Sequence, residues 1–307
     1  MDPQAVFRHN LDCPARGQSG KGNIGVHSRK DGRYICHVCR QTFPASKGTA
    51  FYWLRTPKDI VVIVTALLSH GGPPQAIVVA LGIDERTVVS WQERAGEQCQ
   101  RAHEHLVAQP RDLGQVQADE IRVKKQGGIV WIRKPGRPRL RAWDGLCIAQ
   151  GIKQCVQRRL VGIERCVVQG TLAQMESLLR QTQSNGQVNV AYIERINATF
   201  RARMARLGTP WAGIGASTGA LHRAMCLVGA VYNFCTYHKS LRTPIYLPGN
   251  RRRWARRTPA IAAGITDHLW TIEELLCFQV PLPPWRPPKR RGRPSASTMS
   301  LIARWCS

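Results

Sequence analysis

The sequence predicts a multidomain α+β chain. A small ribbon-like segment spans residues 1–52, a helical module 53–110, a mixed strand-and-helix domain 111–278, and a basic, Pro-rich tail 279–307. Three observations predict this division. The first 52 residues are Gly-rich and short of core material, yet hold an Asp-Gly turn and a C-x-x-C pair. Helical spacing punctuated by Pro and Gly follows. Strand-like alternation and then an amphipathic helical stretch at 188–204 fill the central part of the chain.

Charge narrows the partner. Lys+Arg number 45 against 19 Asp+Glu in 307 residues, a net charge of +26. A surplus of that size points to a polyanion, most simply DNA or RNA, and double-stranded DNA is the partner expected here. The excess is concentrated at 134–141, 251–257 and 289–293. No apolar run is long enough to span a membrane and no secretory signal opens the chain, which reads as cytoplasmic. Eleven cysteines, odd in number and scattered, do not form a disulfide framework and suit a reducing compartment.

In the first segment, Asp31-Gly32 separates strand-like runs at 24–28 and 33–36, as a hairpin turn does. Cys36-His37-Val38-Cys39 follows at once. Two thiolates at that spacing grip one tetrahedral zinc, and a segment without a core needs such a staple. Cys13 is the third ligand; no second upstream cysteine exists, and His9, His27 and His37 are the imidazoles in range. A redox pair is the other reading of the C-x-x-C.

The helical module opens with Thr56 as N-cap, Pro57 at the first helical position and Asp59 at the third. Ile60, Ile63, Val64, Leu67 and Leu68 keep helical spacing up to Gly71-Gly72. Pro73-Pro74 starts a short second helix, Gly82 turns it, and Asp84 caps a third with Val88, Val89 and Trp91 inward. This is a helix-turn-helix arrangement. Arg86, Thr87, Ser90 and Arg94 share the outward arc, with the chemistry for phosphates and base edges. A plain three-helix packing module is the alternative.

Residues 115–123 alternate like a strand carrying adjacent Asp119 and Glu120, and Gln126-Gly127-Gly128 turns into a second strand at 129–132. A carboxylate inside an apolar strand must be paired or metal-bound. Downstream, the 188–204 helix places Tyr192, Ile193, Ile196, Phe200 and Met204 on an apolar arc, with Asn189 as N-cap and Glu194 in the second turn. Glu194, Asn197 and Arg201 fall on a neighbouring polar arc. Asp119 with Glu194 suggests a carboxylate site for Mg²⁺. Arg137 and Arg293 each stand in a Gly-Arg-Pro segment, an extended form suited to a narrow minor groove, with solvated basic loops as the alternative. Residues 221–237 form a helix apolar nearly all round, closed by His238 as a packing residue; 269–278 is a last helical piece, and 281–295 reads as disordered.

Several stretches then resemble one family in order: C-P-A-R-G with D-G-R-Y-I-C-H-V-C-R-Q-T-F, V-Q-A-D-E-I, A-Y-I-E-R-I-N-A-T-F-R, V-Y-N-F-C-T-Y-H-K-S-L-R and T-P-A-I-A-A-G-I-T-D-H-L-W. The chain resembles bacterial insertion-sequence transposases with an N-terminal zinc ribbon, a helix-turn-helix and an Asp-Asp-Glu catalytic domain of RNase-H-like fold. The resemblance implies Asp119 as the first carboxylate and Glu194 as the last, Mg²⁺-dependent hydrolysis at element ends, and transfer of the 3′-hydroxyl into target DNA. It also implies a homo-oligomer on DNA and a nucleoid-associated location. Two departures matter. The block carrying the middle aspartate is missing near 132–136, and Asp144, the imaginable substitute, follows the basic segment instead of preceding it. Relatives carry two Cys pairs, with a cysteine where Arg8 stands, so the zinc set of Cys13, Cys36 and Cys39 is one ligand short. The expectation is a transposase with impaired strand transfer; the alternative is a non-enzymatic DNA-binding remnant that represses or competes at inverted repeats.

Overall fold

The computed structural model describes residues 2–109, 121–125, 128–132, 147–157, 159–182, 191–204, 218–248, 251–287 and 294–306. Strands β1 (Ile24–Ser28) and β2 (Arg33–Cys36) pair antiparallel across Asp31-Gly32, where Gly32 takes φ +60° as the tight turn requires. Strand β3 (Thr42–Pro44) joins the free edge of β2, and Tyr34 lies opposite Phe43, their rings 5.8 Å apart. Helix α1 (Lys58–Ser69) starts one residue later than the Thr56 signal predicts: Pro57 itself is the N-cap, where its missing N–H costs nothing, and no side chain caps the helix. Helix α2 (Pro74–Leu81) ends on Gly82 in the left-handed conformation. Helix α3 (Glu85–Leu106) is capped as expected, the Asp84 carboxylate accepting from the Arg86 amide at 2.9 Å.

Beyond α3 come β4 (Ile121–Lys125) and β5 (Gly128–Ile132), then the longer strands β6 (Ile148–Val156) and β7 (Arg159–Gln169), and helices α4 (Leu172–Thr182) and α5 (Ala191–Met204). Helix α6 (Thr218–Ala230) runs into a π-helical turn at Val231–Cys235 and, past His238, a 3₁₀ turn at Lys239–Leu241. The chain closes with β8 (Thr243–Leu247), β9 (Arg251–Ala255) and helices α7 (Pro259–Ala262), α8 (Ile272–Cys277) and α9 (Ala296–Trp305). Among the described residues no helix is long and apolar enough to cross a membrane.

The chain divides into two compact units, Met1–Ala108 with His222–Ser307, and Gln109–Leu221. The first unit brings residues 222–278 together with the N-terminal helices in one core, while the ribbon keeps a small core of its own. The reason is hydrophobic: Leu227, Val228, Val231 and Phe234 are fully buried, so this nearly all-round apolar helix must be covered on several sides. Leu227, Val231, Phe234, Leu275 and Leu276 complete one core with Val61, Val64 and Leu68 of α1 and Val88, Trp91 and Cys99 of α3. Helices α3 and α6 approach so closely at Gly96 that a Cβ there would stand 2.5 Å from the Arg223 carbonyl oxygen. Arg223 also donates to Glu93 at 2.7 Å.

The tail is corrected in its described parts. Residues 281–287 and α9 are ordered against the ribbon, whose small core of Cys13, Ala15, Ile24, Tyr34, Cys36 and Phe43 is completed by Trp305. Arg16 donates to the carbonyls of Pro283 (3.0 Å) and Pro284 (2.9 Å), and Cys306 Sγ to that of Trp285 (3.0 Å). Two tryptophans make this Pro-rich stretch something other than a solvated tail: Trp285 and Trp305 are both buried.

Among the described residues of the second unit the sheets are two separate antiparallel pairs, β4–β5 and β6–β7, with no strand joining them. Ile152, Val156, Val161, Ile163 and Val168 of the longer hairpin are exposed, and Leu179, Met204 and Asn197 are buried.

Two substitutions test the shared core. Gly96→Ala forces α3 and α6 apart and costs about 1–3 kcal/mol, and Leu227→Ala costs about 2–5 kcal/mol, both read from denaturant unfolding of the full chain. If Leu227→Ala left the unfolding of α1 and α3 unchanged, the shared core would be wrong.

Candidate metal centre and nucleic-acid surface

The ribbon holds two cysteine turns with a left-handed residue four positions on, φ +69° at Gly17 after Cys13 and +58° at Arg40 after Cys36. They close differently: the Arg16 amide donates to the Cys13 carbonyl three residues back (3.0 Å) and the Gly17 amide to the Arg8 carbonyl (3.0 Å), whereas the Arg40 amide donates to the Cys36 carbonyl four residues back (2.8 Å). The thiols of Cys13, Cys36 and Cys39 all lie within 4.8 Å of one another, and Cys13 Sγ stands 3.7 Å from Cys36 Sγ. Tetrahedral zinc with Zn–S bonds of about 2.3 Å sets its sulfurs about 3.8 Å apart, so the three donors fit zinc. No histidine joins this group among the described residues, so His9, His27 and His37 do not complete it.

The Arg16 guanidinium turns away from the thiols to the carbonyls of Leu11, Pro283 and Pro284. Arg8, the position the family resemblance singles out, reaches the cluster, its side chain hydrogen-bonding Cys39. It is buried, donates to Gln41 Oε1 at 2.5 Å, and lies 5.2 Å from the Phe43 ring centroid. Burial alone would raise the Cys39 thiol; hydrogen bonds from the Gln41 backbone, from Arg8 and within the thiol cluster outweigh it and hold Cys39 below the usual thiol range. Three thiolates around one zinc would carry a net charge of −1, which the buried Arg8 cation would offset.

Close by, burial pushes the His9 imidazole down to about 4; a Gln279 hydrogen bond opposes this, and the charges of Lys47, Arg8 and Arg101 reinforce it. The folded state therefore resists protonation that the unfolded chain accepts near its ordinary value of 6.5.

On α3 the outward arc is narrower than predicted. Arg86 and Ser90 are exposed, whereas Thr87 and Arg94 are half-buried. Arg94 is committed to the fold, its Nη1 donating to the Tyr52 carbonyl at 2.7 Å. Of its acidic neighbours, Asp84 caps the helix and Glu93 pairs with Arg223, while Glu97 and Glu104 are exposed further along α3.

Of the central set, Asp119, Glu120, Arg137, Asp144 and Arg293 lie outside the described residues, as does the 132–136 junction beyond Ile132. Glu194 lies on α5, half-buried and engaged with neighbours, and Arg201 is exposed, while the expected cap Asn189 lies outside the described residues. Asn197 corrects the predicted polar arc: it is 2% exposed, placed among the buried side chains of its unit.

Purified protein is expected to carry one zinc per chain. Cys39→Ser weakens retention against a chelator by at least about tenfold. Unchanged retention in Cys39→Ser would refute the three-thiolate site. For His9 the sign is fixed: a lowered folded value means stability is lost as pH falls from about 6.5 towards about 4. Partial exposure discounts the effect, so between about pH 7 and about pH 5 the wild type should lose about 1 kcal/mol more than His9→Gln, measured by urea melts.

No family profile, curated protein or solved structure matches this chain.

Proposed function

We propose that the protein docks on double-stranded DNA, and that it is a transposase by descent whose strand transfer is impaired. The reading is carried by one observation: a short helix, a left-handed glycine and a long capped helix follow one another in a chain of net charge +26, and the long helix leaves Arg86 and Ser90 to solvent one turn apart. In this reading α3 enters the major groove, Arg86 reads a base edge or phosphate, and the zinc-held ribbon and the positive surface steer approach. Zinc has a structural role. Homo-oligomers assemble on paired element ends.

Catalysis requires more than docking. Asp119 and Glu194 would hold Mg²⁺, which polarises the phosphodiester and activates the attacking oxygen. Mg²⁺ keeps several waters and binds to two carboxylates only loosely; without the middle aspartate two ions are poorly placed, and phosphoryl transfer depends on placement. The alternative outcome is a remnant that binds inverted repeats and represses or competes with an intact copy.

A supercoiled plasmid bearing the flanking inverted repeats tests both parts. Footprinting should show protection of the repeats, lost or relaxed in Arg86→Ala by about 1–3 kcal/mol. Mg²⁺ should produce little or no cleavage. Efficient cleavage that disappears in Asp119→Asn and Glu194→Gln would contradict impairment, and absence of protection would contradict docking.

A further inference from the structure

A second basic surface lies away from α3. No acidic residue occurs between Glu194 and Asp267, while the segment 239–257 carries Lys239, Arg242, Arg251, Arg252, Arg253, Arg256 and Arg257. Its centre is the β8–β9 hairpin, paired from Thr243↔Ala255 at its base to Leu247↔Arg251 at its tip. The register sorts the side chains. Pro244 faces Trp254 and Tyr246 faces Arg252 on one surface, and Ile245 faces Arg253 on the other. Both faces therefore present a guanidinium.

These arginines are held but not neutralised. The guanidinium carbons of Arg242 and Arg252 lie 4.0 and 4.1 Å from the Trp254 ring centroid, and that of Arg256 lies 5.2 Å from the Tyr237 ring. Stacking on an aromatic ring fixes a guanidinium's plane while leaving its N–H donors directed outward. Among the described residues none of Arg242, Arg252, Arg253 and Arg256 is paired with a carboxylate. Arg252 and Arg253 are exposed, and Tyr246 is 72% exposed beside Arg252. An uncompensated row of like charge on a narrow two-stranded ribbon repels itself and is stabilised by a polyanion.

We infer that the β8–β9 hairpin is a second DNA-contacting element, a wing whose Arg252, Arg253 and Tyr246 bind the phosphate backbone of duplex DNA. The inference rests on the DNA-docking reading and adds to it a separate surface. Duplex is favoured over a single strand because Trp254, the ring best suited to stack an unpaired base, is already covered by two guanidiniums. Contacts of this kind position the protein and carry no sequence information.

Fluorescence anisotropy of the full chain on a labelled duplex, followed across salt, tests it. R252A/R253A should weaken binding roughly ten- to hundredfold at low salt, equally for any duplex sequence, and lower the slope of log affinity against log salt by about two. R252K/R253K should recover most of the slope, which separates charge from misfolding. A wild type that binds duplex while R252A/R253A keeps its affinity and slope overturns the wing and leaves docking by α3 intact. A loss confined to single-stranded oligonucleotide overturns the duplex assignment. A wild type without salt-sensitive duplex binding overturns both proposals.

Discussion

A helix that is apolar nearly all round must be covered on most of its sides. Residues 222–235 are such a stretch, and their burial against α1 and α3 organises the larger unit of this protein. The N-terminal helices pack on one another and share this core with the returning chain, so the first and last parts of the sequence fold together. Several polar links pin the same closure. The Ala50 amide donates to the Leu276 carbonyl at 3.0 Å, Gln279 donates to the carbonyls of Ala45 and Lys47, and Gln98 reaches the carbonyl of Phe278. Each pairs a backbone carbonyl across the closure.

The ribbon obeys the same economy on a smaller scale. Three strands of five, four and three residues cannot bury enough surface to stand alone. Two staples make up the deficit. One is Trp305, carried in by α9; the other is the cluster of three thiols, with buried Arg8 as counter-charge once metal is bound. Arg16 anchors the Pro283–Pro284 backbone and so clasps the returning chain to the ribbon. The ribbon, the helical core and the C-terminal segment thereby become one unit that presents α3 and the basic β8–β9 hairpin.

Local signals were legible in the sequence where the physics is local. The Asp31-Gly32 hairpin, the Gly82 turn and the Asp84 cap each depend on a few neighbouring residues, and each forms where expected. The Cys13, Cys36 and Cys39 grouping was legible from spacing plus one distant cysteine. What escaped depends on distant partners. Nothing near 294–306 announces that Trp305 fills a ribbon core, and helical periodicity cannot say that Asn197 is buried or that Arg94 is spent on the Tyr52 carbonyl. Strands β6 and β7 mix apolar, basic and Gly residues without clean alternation, so no period marks them.

Native-state hydrogen exchange on the full chain, followed residue by residue against denaturant, tests the central claim most directly. If the chain's two ends form one cooperative core, the slowest amides of α3 and of α6 beyond His222 open with the same free energy and the same denaturant dependence. Exchange of α6 through a cheaper opening, with α1 and α3 still protected, would contradict it.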